Sequence, residues 1–418
     1  MDSARIASKI RAQILQFSGE LARGFPKVLA RFVAEMIYGI QARQSVRLTE
    51  VSRALAEPIP IKKTVERLSR QLGHPRLARW LTNRLLMRAA GRVRDLTLLI
   101  LDLSDVHKKY AQKMEHLAPV WDGSEKTKNR GYWTLNIVGA ETGSAQILPL
   151  YGRLFSHTAP DFQSENIELR EAIGKVSEKT QKRGIWVIDR GGDRGYLYRY
   201  LLHEGLRFII RVRSDRTILT DREESVLEAA QDCPMLFHEY IAREDGDGEK
   251  PRRLEVGYRR VRLPDHPDEL GLVVVKGFGR EPMMLLTNLR LKRSRKCIWH
   301  IVEAYLTRWR IEETIRFMKQ SYQLEDIRVL KYSRLQNMMV LLMAVLYFTA
   351  IYLGIKMKLR VLSKHLVRAA RRVFGIPDFR LYALADGIKQ VLFNRARGPG
   401  TSPRQAPPSV FQRLLFQN

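Results

Sequence analysis

Residues 338–353 (MMVLLMAVLYFTAIYL) form a run of sixteen residues that is apolar apart from Thr349. A membrane span needs about 20 such residues. Lys331 and Arg334 precede the run and Lys356 and Lys358 follow it, so its flanks set no orientation. It therefore predicts a helix buried in a protein core. At 418 residues the chain is long enough for two or three domains.

The segments before this run alternate in character. Residues 96–101 (LTLLIL) read as a short buried strand. Residues 131–140 (GYWTLNIVGA) and 145–152 (AQILPLYG) read as two more, joined by Glu141-Thr142-Gly143-Ser144 as a hairpin. A helix over 164–180 follows, then a strand at 184–188 (GIWVI), a helix over 194–203 and a strand at 206–212 (LRFIIRV). This order predicts an α/β layout with a mixed sheet. Residues 213–298 are β-rich, and the chain is helical from His300 to about Gly354, with a break near 323–329.

Residues 1–94 read as helical throughout. Within them a short helix, a break at Glu57-Pro58-Ile59-Pro60 and a second helix with Lys62, Lys63, Arg67 and Arg70 have the layout of a helix-turn-helix reader of DNA.

Charge supports that reading. The chain has 73 Lys and Arg against 44 Asp and Glu, a net +29. Residues 1–94 hold 19 basic and 6 acidic residues (+13) and residues 356–418 hold 13 and 2 (+11), so the two ends carry 24 of the 29 charges. Such an excess attracts polyanions, nucleic acid first among them. The two cysteines, Cys233 and Cys297, supply no metal-ligand spacing and no disulfide framework. The first twenty residues contain no apolar stretch of signal-peptide type, which fits an intracellular location.

The acids of the middle segment are placed suggestively. Asp102 directly follows LTLLIL, and Asp189 directly follows GIWVI and precedes Arg190-Gly191-Gly192. Carboxylates at the ends of neighbouring buried strands stand at the rim of a sheet, where sites in α/β folds form. Together they repel unless one is protonated or a cation lies between them. Mg2+ prefers such oxygen ligands. Downstream, Tyr305, Arg308, Glu312 and Lys319 are spaced by three, four and seven, which predicts one face of a single helix. The acid would complete a metal site, the bases would meet phosphates and the aromatic ring would pack on a sugar or base.

The pattern Tyr-x2-Arg-x3-Glu-x6-Lys at Tyr305, Arg308, Glu312 and Lys319 resembles the signature of the IS4 group of bacterial insertion-sequence transposases. The settings of Asp102 (Leu101-Asp102-Leu103-Ser104) and Asp189 (Val187-Ile188-Asp189-Arg190-Gly191) resemble those of that family's first two acids. The resemblance covers most of residues 95–355. It implies an RNase H-like catalytic core with a β-rich insertion, and the 123 positions from 189 to 312 suit that arrangement. It implies a DDE transposase in which Asp102, Asp189 and Glu312 bind Mg2+, replaceable by Mn2+, and carry out DNA cleavage and strand transfer. The implied partners are double-stranded DNA (the inverted repeats at transposon ends, and the target) and a second copy of the chain in a synaptic homodimer. The implied location is the bacterial cytoplasm, at the nucleoid and without a membrane. An RNase H-like nuclease without strand transfer and an inactive DNA-binding derivative are the alternatives. In relatives that cut through a DNA hairpin a Trp of the insertion holds a flipped base, whereas residues 213–298 contain no Trp and the nearest is Trp299.

The expected organisation is thus an all-α DNA-binding domain (1–94), a core in two parts (95–212 and 299–355), the β-rich insertion (213–298) and a basic C-terminal region (356–418). Asp105 and Asp193 are the rivals of Asp102 and Asp189. His107, Lys108 and Lys109 are candidate DNA contacts or solvated surface. Trp121, Trp133 and Trp186 are expected in the core or at its rim, and Asp122-Gly123-Ser124 as a turn.

Overall fold

The computed structural model describes residues 3–108, 110–122, 127–245, 248–362 and 381–393. Five helices come first: α1 (Ser3–Leu21), α2 (Lys27–Arg43), α3 (Leu48–Leu55), α4 (Ile61–Leu72) and α5 (Leu77–Ala90). Pro60 immediately precedes α4, where its fixed φ and missing N–H suit a helix start.

The α/β region contains β1 (Leu98–His107), β2 (Ala118–Asp122), β3 (Thr127–Ala140), β4 (Ile147–Phe155), α6 (Glu165–Thr180), β5 (Ile185–Ile188), α7 (Gly195–His203) and β6 (Phe208–Arg211). β3 runs antiparallel to β1 and β4, while β1, β5 and β6 run parallel, giving the order β4-β3-β1-β5-β6. The outer edge of β3 has two occupants: β2 pairs with residues 127–131 and β4 with residues 133–140. Ser164 caps α6 by accepting a hydrogen bond from Ile167 N at 3.3 Å.

The β-rich segment contains β7 (Thr217–Leu219), β8 (Glu223–Ser225), α8 (Val226–Gln231), β9 (Met235–Asp245), β10 (Gly248–Arg262), β11 (Glu269–Lys276) and β12 (Met283–Thr287). It is continuous with the central sheet. β12 pairs antiparallel with β6 through Leu285↔Arg211 to Thr287↔Ile209, so one sheet runs from β2 to β8.

The final helices are α9 (Arg295–Leu306), α10 (Trp309–Ser321), α11 (Tyr332–Tyr347) with a π-helical turn at Phe348–Tyr352, α12 (described over residues 355–362) and α13 (Leu381–Phe393). The apolar run of residues 338–353 is the core helix expected of it. Tyr332–Tyr352 is long and apolar enough to cross a membrane, but 83% of its most apolar window is buried. On one side it meets β4, where a Cβ on Gly152 would come within 2.6 Å of Met343 Cγ. On the other it meets the N-terminal helices. Gln41 Nε2 donates to Thr349 Oγ1 at 2.6 Å, which accounts for the one polar residue in the run. Asn337 Nδ2 donates to Leu72 O at 2.7 Å.

Residues 1–94 pack against the rest of the chain. Phe17, Phe32, Ile37 and Leu81 belong to the same apolar cluster as Leu341, Val345 and Phe348. Helices α1 to α5 therefore cover one face of α11. Most of 356–418 lies outside the described residues, as do Lys109, Gly123 and Ser124.

Candidate active site

Asp102 does not end its strand. β1 continues five residues past it, paired with β3 as far as His107↔Gly131. What ends at this level is β5, whose last pair with β1 is Leu101↔Ile188. Asp102 therefore stands where the parallel part of the sheet stops. Asp189, the next residue of the neighbouring strand, caps a 3-10 turn over Arg190–Gly192 and accepts from Gly191 N at 2.8 Å. Gly192 is needed for this turn to fold back on its strand, since a Cβ there would lie 2.4 Å from Ile188 Cγ2.

The third acid comes from the first turn of α10, which packs over β1 and β3. Asp102 is pushed up to about 7, first by burial, then by Asp189, with Glu312 acting in the same direction and Arg308 against it. The three carboxylates are thus brought into one electrostatic neighbourhood, with Glu312 the most exposed, its side chain 47% accessible. Arg308 lies among them: its guanidinium pairs with Glu312, stands 3.8 Å from Asp102 Oδ2 and covers the Tyr305 ring at 5.7 Å.

The two rival aspartates have other tasks. Asp193 is buried and fully partnered: it pairs with Arg216, lies 3.5 Å from Arg213 Nε, and accepts from Tyr198 Oη at 3.2 Å and Arg213 N at 2.8 Å. Asp105 pairs with His107 and with Lys319 Nζ at 3.2 Å. Asp105, His107 and Glu325 each offer a ligand atom within 4.8 Å of the others, a grouping able to hold a metal ion. Lys319 also lies 3.2 Å from Glu325 Oε1, so an ammonium already balances that cluster.

Several of the expected DNA-contacting residues are engaged differently. Tyr305 belongs to α9 and Arg308 to the break before α10, so the four signature residues do not share one helix. The Tyr305 ring is buried and supports Arg308, leaving no open face for a base. Lys319 holds Asp105 and Glu325 rather than projecting freely. Arg67 pairs with Glu35 at 2.6 Å and Glu57 at 3.0 Å, both buried acids, and so cross-links the helical region. Lys62, Lys63 and Arg70 of α4 are exposed, with Lys63 3.6 Å from Glu66. Lys108 is buried and donates to the carbonyls of Glu325 and Ile327, the latter at 2.7 Å. Trp186 is buried in the core, Trp133 stacks on His157 at 5.8 Å, and Trp121 is exposed.

Asn136 went unnoticed in the sequence. It lies directly across from Asp102 on β3, on the same face, and is buried. Its Nδ2 donates to Thr134 Oγ1 at 3.1 Å, and its Oδ1 has no hydrogen-bond partner among the described residues. The only sequence signal was an amide amid the apolar residues of TLNIVGA. A buried acceptor without a donor is costly. Beside Asp102 it adds a neutral oxygen suited to a cation or its water shell, so the donor set fits a hard divalent ion.

Residues 170–348 match the family model of the transposase DDE domain. The match runs from α6 through α11 and contains Asp189 and Glu312, while Asp102 precedes it. No curated protein matches the chain. Among solved structures, the cryo-EM structure of a piggyBac transposase synaptic complex with hairpin DNA aligns over 100% of this chain and 85% of that one, at 13% identity and a TM-score of 0.46. That likeness is too slight to transfer residue roles.

Proposed function

We propose that the chain is a DDE transposase of the IS4 type, with Asp102, Asp189 and Glu312 as its catalytic acids on an RNase H-like core. Its reaction is cleavage of DNA at transposon ends and joining to a target, by a homodimer in the bacterial cytoplasm. The observation that carries the reading is the electrostatic coupling of Asp102 on β1 to Asp189, just past β5, and to Glu312 on α10, which with burial pushes the Asp102 carboxyl up to about 7. It is supported by the DDE-domain match over residues 170–348. The strand order β4-β3-β1-β5-β6 supports the fold reading, because it sets β1, which carries Asp102, beside β5, which leads into Asp189.

Asp102, Asp189 and Glu312 would hold divalent metal, Mg2+ or Mn2+, which when bound supplies activation of an attacking oxygen and stabilisation of a leaving one in phosphodiester chemistry. Asp189 is oriented by its hydrogen bond from Gly191 N. Asn136 presents an acceptor to the same space from β3. Arg308, propped on Tyr305, neutralises part of the acid charge and can grip a phosphate with two donors. Lys62, Lys63 and Arg70 on α4 offer exposed charge to duplex DNA.

The test is cleavage of DNA carrying the element's own ends. Asp102→Asn, Asp189→Asn and Glu312→Gln should each abolish strand cleavage with Mg2+ and leave DNA binding intact. Normal cleavage by any of the three would remove that residue from the site. Cleavage without joining, assayed on a pre-cut end, would make the protein a nuclease instead.

A further inference from the structure

We infer that β2 and the first half of β3 form a DNA-contacting platform, with Lys128 and Arg130 on phosphates and Trp121 stacking on an exposed base. The inference rests on the proposed transposase reading and extends it to a surface outside the acid site.

Register defines the platform. Residues opposed across an antiparallel pair share a face, and faces alternate along a strand. β3 pairs Asn136 with Asp102, Thr134 with Ser104 and Tyr132 with Val106 on one side. On its other side it pairs Arg130 with Pro119 and Lys128 with Trp121. The even-numbered residues of β3 from 128 to 136 therefore share a face with Asp102 and with Trp121. Lys128 lies eight residues from Asn136, about 26 Å along the strand at 3.3 Å per residue. A nucleic-acid strand stepping about 3.4 Å per nucleotide spans that distance in roughly eight nucleotides.

The middle of this face is roofed. Tyr132 Oη donates to Glu115 O at 2.6 Å, and its ring stacks on Tyr332 at 6.2 Å. The roof segment shows exposed Arg328 and Leu330. Beyond it Pro119, Lys128 and Arg130 are exposed and Trp121 is 52% accessible. A tryptophan held this openly on an edge strand gains nothing from core packing, and no ion pair engages Lys128 or Arg130 among the described residues. Positive charge joined to an open aromatic face is the combination that binds backbone and base together.

The test compares binding of the full-length chain to a blunt duplex and to the same duplex with a ten-nucleotide single-stranded extension, by fluorescence anisotropy across salt concentrations. Wild type should prefer the extended DNA. Trp121→Ala should weaken binding to the extended DNA by about tenfold or more, and Trp121→Phe should restore most of it. Lys128→Ala with Arg130→Ala should reduce the slope of log affinity against log salt by about two. Wild-type affinity and slope in all these variants would overturn the platform, and self-association of the variants with unchanged DNA affinity would assign these residues to edge-strand protection instead. Failure of the wild-type chain to bind or cut DNA would defeat the transposase reading itself, a separate outcome.

Discussion

Asp102 and Asp189 sit one residue beyond the last pair of adjacent parallel strands, Leu101↔Ile188, and each reaches this level by a different route. Asp102 is held within a strand that continues. Asp189 is held by a turn that folds back on Gly191 N. That difference separates them from Asp193, which lies four residues past Asp189 and is consumed by Arg213, Arg216 and Tyr198.

Asp193→Asn should accordingly act on stability, and Asp189→Asn on chemistry. Breaking a buried ion pair from one side costs about 3–5 kcal/mol, so Asp193→Asn should lower the unfolding temperature markedly. Asp189→Asn should leave it nearly unchanged in chelator while abolishing cleavage. Thermal unfolding of both variants beside a cleavage assay decides, and the opposite pattern would exchange their roles.

The raised Asp102 carboxyl predicts how stability varies with pH in the absence of metal. An acid whose folded-state value lies above its ordinary one stabilises the fold while protonated. This contribution is complete below about pH 4 and is lost as pH rises through about 7. The loss from this one group is on the order of 4 kcal/mol. Asp102→Asn should flatten that part of the profile, and Mg2+ should raise the unfolding temperature of wild type more at pH 8 than at pH 5. An equal effect of Mg2+ at both pH values would contradict the placement of the metal beside Asp102.

Asn136→Leu should weaken Mn2+ binding several-fold, measured by calorimetry, by removing the unpartnered oxygen opposite Asp102. Asn136→Asp should retain or strengthen binding. If both substitutions weaken it equally, the amide serves Asp102 as a donor rather than facing a cation.

Arg67 and its neighbours on α4 should separate into two groups. Arg67→Ala strips a partner from the buried Glu35 and Glu57 and should destabilise the protein by about 3 kcal/mol. Lys62→Ala with Lys63→Ala should lower affinity for duplex DNA in a salt-dependent way at unchanged stability. Unaltered unfolding of Arg67→Ala in urea would refute the first half.

Removing residues 1–94 should not yield a folded catalytic fragment. It would expose the face of α11 that Phe17, Phe32 and Leu81 now cover, an apolar area that promotes aggregation. A monomeric fragment 95–418 with a cooperative melt would instead make residues 1–94 a detachable domain.

Much of this molecule is local and therefore readable from the order of residues. The strands LTLLIL and GIWVI, the hairpin of β3 and β4, and helices α6 and α7 follow from periodicity and turn residues, which act over a few positions. So does the burial of residues 338–353, a run of sixteen that falls short of the about 20 apolar residues of a membrane span. The positions of Asp102 and Asp189 were prominent for the same reason, since each abuts a run whose structure is locally determined, whereas Glu312 stood out by its spacing from Tyr305, Arg308 and Lys319.

Tertiary structure alone decided what each polar residue is for. Arg67 and Lys62 are both bases on one short helix, yet the first faces two buried acids and the second faces solvent. Lys319 meets Asp105, a contact 214 positions away that no spacing encodes. The junction of β12 with β6 makes the β-rich segment part of the central sheet, and the fit of α11 beneath α2 and α5 binds the first 94 residues to the rest. Backbone periodicity is a property of neighbours in sequence. A partner for a charge, an edge or an apolar face is a property of neighbours in space, and these meet only when the whole chain has closed.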